Sequence, residues 1–187
     1  MSWIALVPLK LGPDRKSRLA PRLGAFERAA LSDFMACHVL ACLEAAPSVS
    51  EIVTLSLRAV GQARWVADKG RGLNTELLEA RATIGTAPLL VIHADLPLLA
   101  VEDVEALVAA AGGGVALAPD RHGEGTNALA VGVDPGFEFR FGPGSLAAHR
   151  AARPAAKEVA RRGLSHDIDT PDDLDAAVAV GFRSPFR

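Results

Sequence analysis

Leu89-Leu90-Val91-Ile92-His93-Ala94-Asp95 decides how the rest of the chain is read. Four apolar residues in a row, without polar alternation, suit a strand buried on both faces of a parallel sheet. A carboxylate follows at the carboxyl end of that strand. Trp3 to Val7, closed by Pro8, is a second run of the same kind. Ile52 to Leu57, Trp65-Val66, Val115 to Ala118 and Ala128 to Val133 read as further strands. Helical spacing or composition covers Phe26 to Ala46, Asn74 to Ile84, Val101 to Ala111, Ser145 to Ala152 and Pro171 to Val180. In the first of these, Phe26, Ala30, Phe34, Cys37 and Leu40-Ala41 are expected on the apolar face. Glu102 and Asp103 occupy a first turn, where the helix dipole favours them, and Gly112 to Gly114 stop that helix. Thr170 followed by Pro171 marks another helix start. This alternation predicts an α/β fold with a mainly parallel, twisted sheet, and ligands at the carboxyl ends of its strands.

The chain has 187 residues, enough for a single domain that folds without disulfide or metal support. Half of the residues are hydrophobic and 22% are charged, which excludes a disordered chain. A net charge of -2 lacks the basic footprint of a nucleic-acid binder. No apolar run approaches the ~20 residues of a membrane span, and the N-terminus has no signal-peptide pattern. Cys37 and Cys42 fit no zinc spacing and are expected as two buried thiols in a reducing cytoplasm.

The polar clusters fall where strands end. Lys10-Leu11-Gly12-Pro13-Asp14-Arg15-Lys16-Ser17-Arg18 follows the first strand and places four cations beside a glycine. It reads as a phosphate cradle, with point charge from Lys16 and a bidentate fork from Arg18, or as a solvated basic loop. The Gly-Lys-Ser/Thr ending of a Walker A loop is missing. Asp95 is either a helix-entry residue or a ligand for Mg²⁺, which prefers hard oxygen donors. Asp167 and Asp169 share one side of an extended segment and either complete such a site or help cap the last helix. Thr126-Asn127 ends a polar, glycine-rich stretch, and Gly142-Pro143-Gly144-Ser145 aims backbone amides from a helix start, where anions bind. His38 and His149 lack a carboxylate near in sequence and are read as structural. A Gly-x-Ser-x-Gly elbow, a Cys-His pair and a Gly-x-Gly-x-x-Gly fingerprint after the first strand are all missing.

Six or more of these blocks resemble, in order, the guanylyltransferases that activate 2-phospho-L-lactate or a related three-carbon phosphoacid in deazaflavin cofactor biosynthesis. They include Val7-Pro8-Leu9-Lys10, Lys16-Ser17-Arg18-Leu19-Ala20-Pro21, Gly70-Arg71-Gly72-Leu73-Asn74 and Ala94-Asp95-Leu96-Pro97. Ala118-Pro119-Asp120-Arg121, Gly125-Thr126-Asn127, Phe141-Gly142-Pro143-Gly144-Ser145 and Asp167-Ile168-Asp169-Thr170-Pro171 continue the resemblance. It covers the chain from about residue 4 to about residue 176.

The resemblance implies a three-layer, Rossmann-like fold of the nucleotide-diphospho-sugar transferase type, akin to the molybdenum-cofactor guanylyltransferases. It implies Mg²⁺-dependent transfer of GMP from GTP to 2-phospho-L-lactate, phosphoenolpyruvate or 3-phosphoglycerate, with release of pyrophosphate. Lys16, Arg18 and Asp95 would carry the catalysis. Pro8, Lys10, Lys16, Arg18, Gly72, Leu73, Asn74 and Asp95 would hold the nucleotide. Thr126, Asn127, Gly142 and Ser145 would hold the acceptor, while Asp95 with Asp167 or Asp169 would bind the metal. The expected partners are GTP and a small phosphoacid, with room for a homodimer. The alternatives are a nucleotidyltransferase of the same scaffold with another acceptor, or a non-catalytic nucleotide-binding regulator.

Overall fold

The computed structural model describes residues 2–12, 15–134 and 136–186. Its centre is β4 (Leu89–Ile92), buried at every position. Around it lie β1 (Trp3–Pro8), β2 (Val49–Ser56), β3 (Arg64–Ala67), β5 (Val115–Pro119), β6 (Thr126–Val131) and the two-residue β7 (Lys157–Glu158). They form one seven-stranded sheet in the order β3-β2-β1-β4-β6-β5-β7. β1 pairs in parallel with β2 and β4, whereas β6 runs antiparallel to both β4 and β5. The expected mainly parallel sheet is present, with β6 as its one reversed strand.

Side-chain alternation splits the sheet into two apolar faces. Ala5, Val7, Leu90 and Ile92 point to one face, with α1 (Ala25–Ala45) and α3 (Val101–Ala111) over it. Leu6, Leu89, Val91 and Leu129 point to the other, under α2 (Leu73–Ile84) and α4 (Ser145–Ala152). Full burial stabilises such side chains by roughly 1.5–3 kcal/mol each, so the two faces fix the three-layer architecture. A third cluster joins Leu19, Leu31 and Met35 to Ile168, Leu174 and Phe182. It brings the loop after β1 against α6 (Pro171–Ala179), and α5 (Arg162–Ser165) precedes that segment.

Two expectations need correction. The buried face of α1 is Leu31, Met35, Val39 and Leu43, while Phe26, Phe34 and Cys37 are exposed. α1 is apolar around most of its girth, and the stripe with four-residue spacing is the one that packs. The thiols are likewise not both buried: Cys42 is half-buried, its thiol donating to the Leu99 carbonyl at 3.2 Å. The caps behave as expected. Thr170 accepts from the Asp173 backbone with Pro171 in the first turn, and Gly112 ends α3 in a positive-φ conformation. Among the described residues no helix is long and apolar enough to cross a membrane.

Candidate active site

β1 and β4 end at the same edge of the sheet, and the reversal of β6 brings its first residues, Thr126 and Asn127, to that edge too. Ile92 pairs with Ala128, and the His93 backbone N–H donates to the Asn127 carbonyl at 2.9 Å. Asp95 follows two residues later. The Ile168 N–H donates to the Asp95 carbonyl at 3.2 Å, drawing the Asp167–Asp169 segment alongside. Ile168 is fully buried, so the carboxylates on either side of it turn toward the cleft. Asp95, Asp167 and Asp169 each offer an oxygen, and these oxygens lie within 4.8 Å of one another.

Lys16 reaches into this cluster from the β1 loop. Its Nζ donates to Asp95 Oδ2 and to Asp169 Oδ1, both at 2.6 Å. The backbone there is left-handed (φ 53°, ψ 41°), the single described non-glycine residue with positive φ. That conformation costs an ordinary residue roughly 1–2 kcal/mol. Burial alone would pull the Lys16 pKa down, but Asp95 and Asp169 outweigh it and hold the ammonium above its ordinary range. Asp95 answers in kind: burial pushes it up, and Lys16, with the neighbouring His93 and a backbone hydrogen bond, more than reverses that. Asp167 has no cationic partner among the described residues and is pushed up to about 6 by burial and by the charge of Asp95. Asn127 Nδ2 donates to its Oδ1 at 2.9 Å and to the Leu164 carbonyl.

The donor set suits a hard cation. Three carboxylates converge, and Asp95 Oδ1 is buried with no hydrogen-bond partner among the described groups. Mg²⁺ takes one or two carboxylates plus phosphate oxygens and water, which this geometry can supply.

Beyond Asn127 lie the hydroxyls of Thr126 and Ser145. The Thr126 N–H donates to Ser145 Oγ at 2.9 Å, and both side chains are buried. Between Phe141 and Ser145 the chain turns through Gly142 (φ 130°) and Gly144 (φ 69°), conformations that a side chain would strain. Asn74 fixes the start of this turn: its Nδ2 donates to the Phe141 carbonyl and its Oδ1 accepts from the Phe141 N–H, at 2.9 and 2.8 Å. Its amide, expected on the nucleotide, is instead engaged by that backbone. Gly72 and Leu73 lie beside it at the head of α2, on a loop held by Arg71 and Glu76. The paired Arg71 guanidinium lowers the Glu76 carboxyl to about 2.

The structure thus gathers Lys16, Asp95, Asp167, Asp169 and Asn127 directly, with Thr126, Gly142 and Ser145 next to them. Pro8 ends β1, while Lys10 and Arg18 are exposed on the loop that follows, outside the carboxylate cluster. Pro13 and Asp14 of that loop lie outside the described residues. Sequence reading missed the ion pairing of Lys16 and the contact of His149 with Thr126, 3.1 Å between Nδ1 and Oγ1. Both join residues far apart in the chain, and only the strand order could have signalled them.

A solved protein of Desulfovibrio desulfuricans G20, described as a nucleotide-diphospho-sugar transferase, superposes with a TM-score of 0.77. It is 18% identical and covers 100% of this chain and 91% of its own. CMP:2-keto-3-deoxy-manno-octonic acid synthetase, solved with CTP, superposes at 0.62 with 14% identity, covering 96% and 98%. These likenesses show the fold. In sequence, the phosphoenolpyruvate guanylyltransferase of Sphaerobacter thermophilus is 40% identical over 94% of this chain and 92% of its own length. That of Roseiflexus sp. is 43% identical over 91% and 82%. The family description "Guanylyl transferase CofC like" matches residues 3–181. Agreement of one family description over that span with two such relatives makes the membership plain: the chain belongs to the CofC-like guanylyl transferase family.

Proposed function

We propose that the protein transfers GMP from GTP to the phosphate of a small phosphorylated acid, phosphoenolpyruvate first among them, and releases pyrophosphate. The observation that carries this reading is the carboxylate cluster of Asp95, Asp167 and Asp169. On one side it is tied to the cationic loop through Lys16, and on the other to the hydroxyl pocket through Asn127. Phosphoenolpyruvate is preferred because it is the acceptor in the names of the relatives. 2-Phospho-L-lactate and 3-phosphoglycerate differ from it by a few atoms. The adduct would serve deazaflavin cofactor biosynthesis, in the cytoplasm.

The chemistry needs no covalent enzyme intermediate. An oxygen of the acceptor phosphate forms a bond to the α-phosphorus of GTP as the bond to the β-phosphate oxygen breaks. The attacking oxygen is already anionic, so the enzyme must overcome repulsion between two anions and hold them in line. Asp95, Asp167 and Asp169 would hold Mg²⁺, which supplies positive charge against the triphosphate and the departing pyrophosphate. Lys10, Lys16 and Arg18 would add cationic charge on the nucleotide side. Pro8 and the Gly72–Asn74 loop would border the nucleotide. Thr126, Asn127, Gly142 and Ser145 would border the acceptor, with hydroxyl and backbone donors facing its anionic groups.

The test is product mass after incubation with GTP, Mg²⁺ and each of the three phosphoacids. The expected result is a guanylylated phosphoenolpyruvate with one pyrophosphate per adduct. Binding of GTP without any adduct would favour a nucleotide-binding regulator, and an adduct with another acceptor alone would overturn the substrate.

A further inference from the structure

His149 lies in the second turn of α4 and is 1% exposed, yet no carboxylate partners it among the described residues. Its ring has two polar neighbours. Nε2 stands 3.0 Å from the backbone nitrogen of Arg140, and Nδ1 stands 3.1 Å from Thr126 Oγ1. A backbone N–H can only donate, so Nε2 must be the nitrogen that carries the lone pair. A neutral imidazole has one N–H, which this pattern assigns to Nδ1. Burial, with the nearby charge of Arg140, pulls the His149 pKa down to about 4, so the ring is neutral at neutral pH.

The consequence falls on Thr126. Its Oγ1 accepts from the Nδ1–H, which leaves its own hydroxyl hydrogen for another acceptor. Ser145 is arranged in the same way, since its Oγ accepts from the Thr126 N–H. Among the described residues neither hydroxyl has a protein acceptor, and a buried donor left unmatched is costly. Two adjacent hydroxyls, each filled on its accepting side from within the fold, present donors to an oxyanion. The edge-on contact of His149 with Phe141, 5.1 Å between ring centroids, holds the imidazole against rotation.

We propose that His149 is a positioning residue that holds the Thr126 hydroxyl as a hydrogen-bond donor toward an anionic group of the acceptor. The proposal rests on reading Thr126 and Ser145 as the acceptor pocket, and it adds the reason that pocket selects an anion. His149 touches neither substrate and acts through Thr126 alone.

Two measurements test it. Nitrogen-15 NMR of the imidazole in the intact enzyme at pH 7 should find His149 as the Nδ1–H tautomer. An Nε2–H tautomer or an imidazolium overturns the proposal without reference to activity. Steady-state kinetics with GTP, Mg²⁺ and phosphoenolpyruvate then compare Thr126→Val, His149→Leu and the double variant. Each single variant should raise the phosphoacid KM about tenfold or more and leave the GTP KM within about twofold. The double variant should raise the phosphoacid KM no further than Thr126→Val does, because for the acceptor both changes remove the same Thr126–His149 interaction. His149→Asn places an amide near the Nδ1 position and should recover most of the loss. His149→Gln places it near Nε2 and should not, a contrast that stands even if His149→Leu does not fold. Additive effects, or equal rises in both KM values, overturn the proposal alone. A wild-type enzyme that forms no adduct overturns the guanylyl-transfer reading and the proposal with it.

Discussion

Lys16 holds two carboxylates together with one ammonium, at 2.6 Å from each. Replacing it by methionine should leave Asp95 and Asp169 facing each other without a cation. Breaking a fully buried pair costs about 3–5 kcal/mol. Asp169 is 46% exposed, so a loss of about 1–3 kcal/mol is expected in urea unfolding. Millimolar Mn²⁺ should restore Lys16→Met more than it stabilises wild type, because in wild type the Lys16 ammonium already neutralises two of the three carboxylates. Equal stabilisation of both would contradict this. Asp167 gives a second prediction. Its carboxyl is raised from the ordinary 3.8 to about 6, by burial first and Asp95 second. A raised folded-state pKa means that its contribution to stability is present below pH ~4 and lost as pH rises through ~6. Without metal, Asp167→Asn should therefore flatten the fall of Tm between about pH 4 and pH 6.5. A slope unchanged from wild type would put the titration elsewhere. These acids were legible beforehand because Asp167 and Asp169 alternate about one apolar residue. Lys16 was legible only as a cation on a loop, since its partners lie 79 and 153 residues away.

α1 is the element whose reading was least secure in physical terms. Two stripes run along it, Phe26-Ala30-Phe34-Cys37 and Leu31-Met35-Val39-Leu43, and periodicity alone does not rank them. Packing does: Leu31 and Met35 join the cluster beside α6, and Val39 and Leu43 join the sheet face. Leu31→Ala should accordingly cost about 2–5 kcal/mol in urea unfolding. Phe26→Ala, at a side chain 85% exposed, should fall within about 0.5 kcal/mol of wild type. The reverse ranking would mean that the exposed stripe is covered in solution. β4 and β1 were legible because continuous apolar runs have few other uses. β7 and α5, two and four residues long, are too short to show a period. The Gly142–Ser145 turn was legible as a helix start that aims backbone amides, but the attachment of the preceding Phe141 to Asn74 depends on a pair of hydrogen bonds across 67 residues.

Strand order turns these parts into one site. Because β6 runs against its neighbours, Thr126 and Asn127 start at the edge where β1 and β4 end, and they come to lie beside the carboxylates of Asp95 and Asp167. A sequence without partners cannot announce that reversal, so the motifs were readable while their juxtaposition was not. The proposed preference for GTP has its own expectation: a site that hydrogen-bonds the guanine edge should favour GTP over ATP in kcat/KM by orders of magnitude. Equal use of the two would point to a broader nucleotidyltransferase. We propose that the carboxylates gathered by β4 and the segment before α6 drive transfer from GTP to a phosphoacid. Pyrophosphate release from GTP and phosphoenolpyruvate at saturating Mg²⁺, compared between wild type and Asp95→Asn, tests it most directly. A fall of at least ~10²-fold is predicted, the size of losing one positioned electrostatic group. A rate near that of wild type would contradict it.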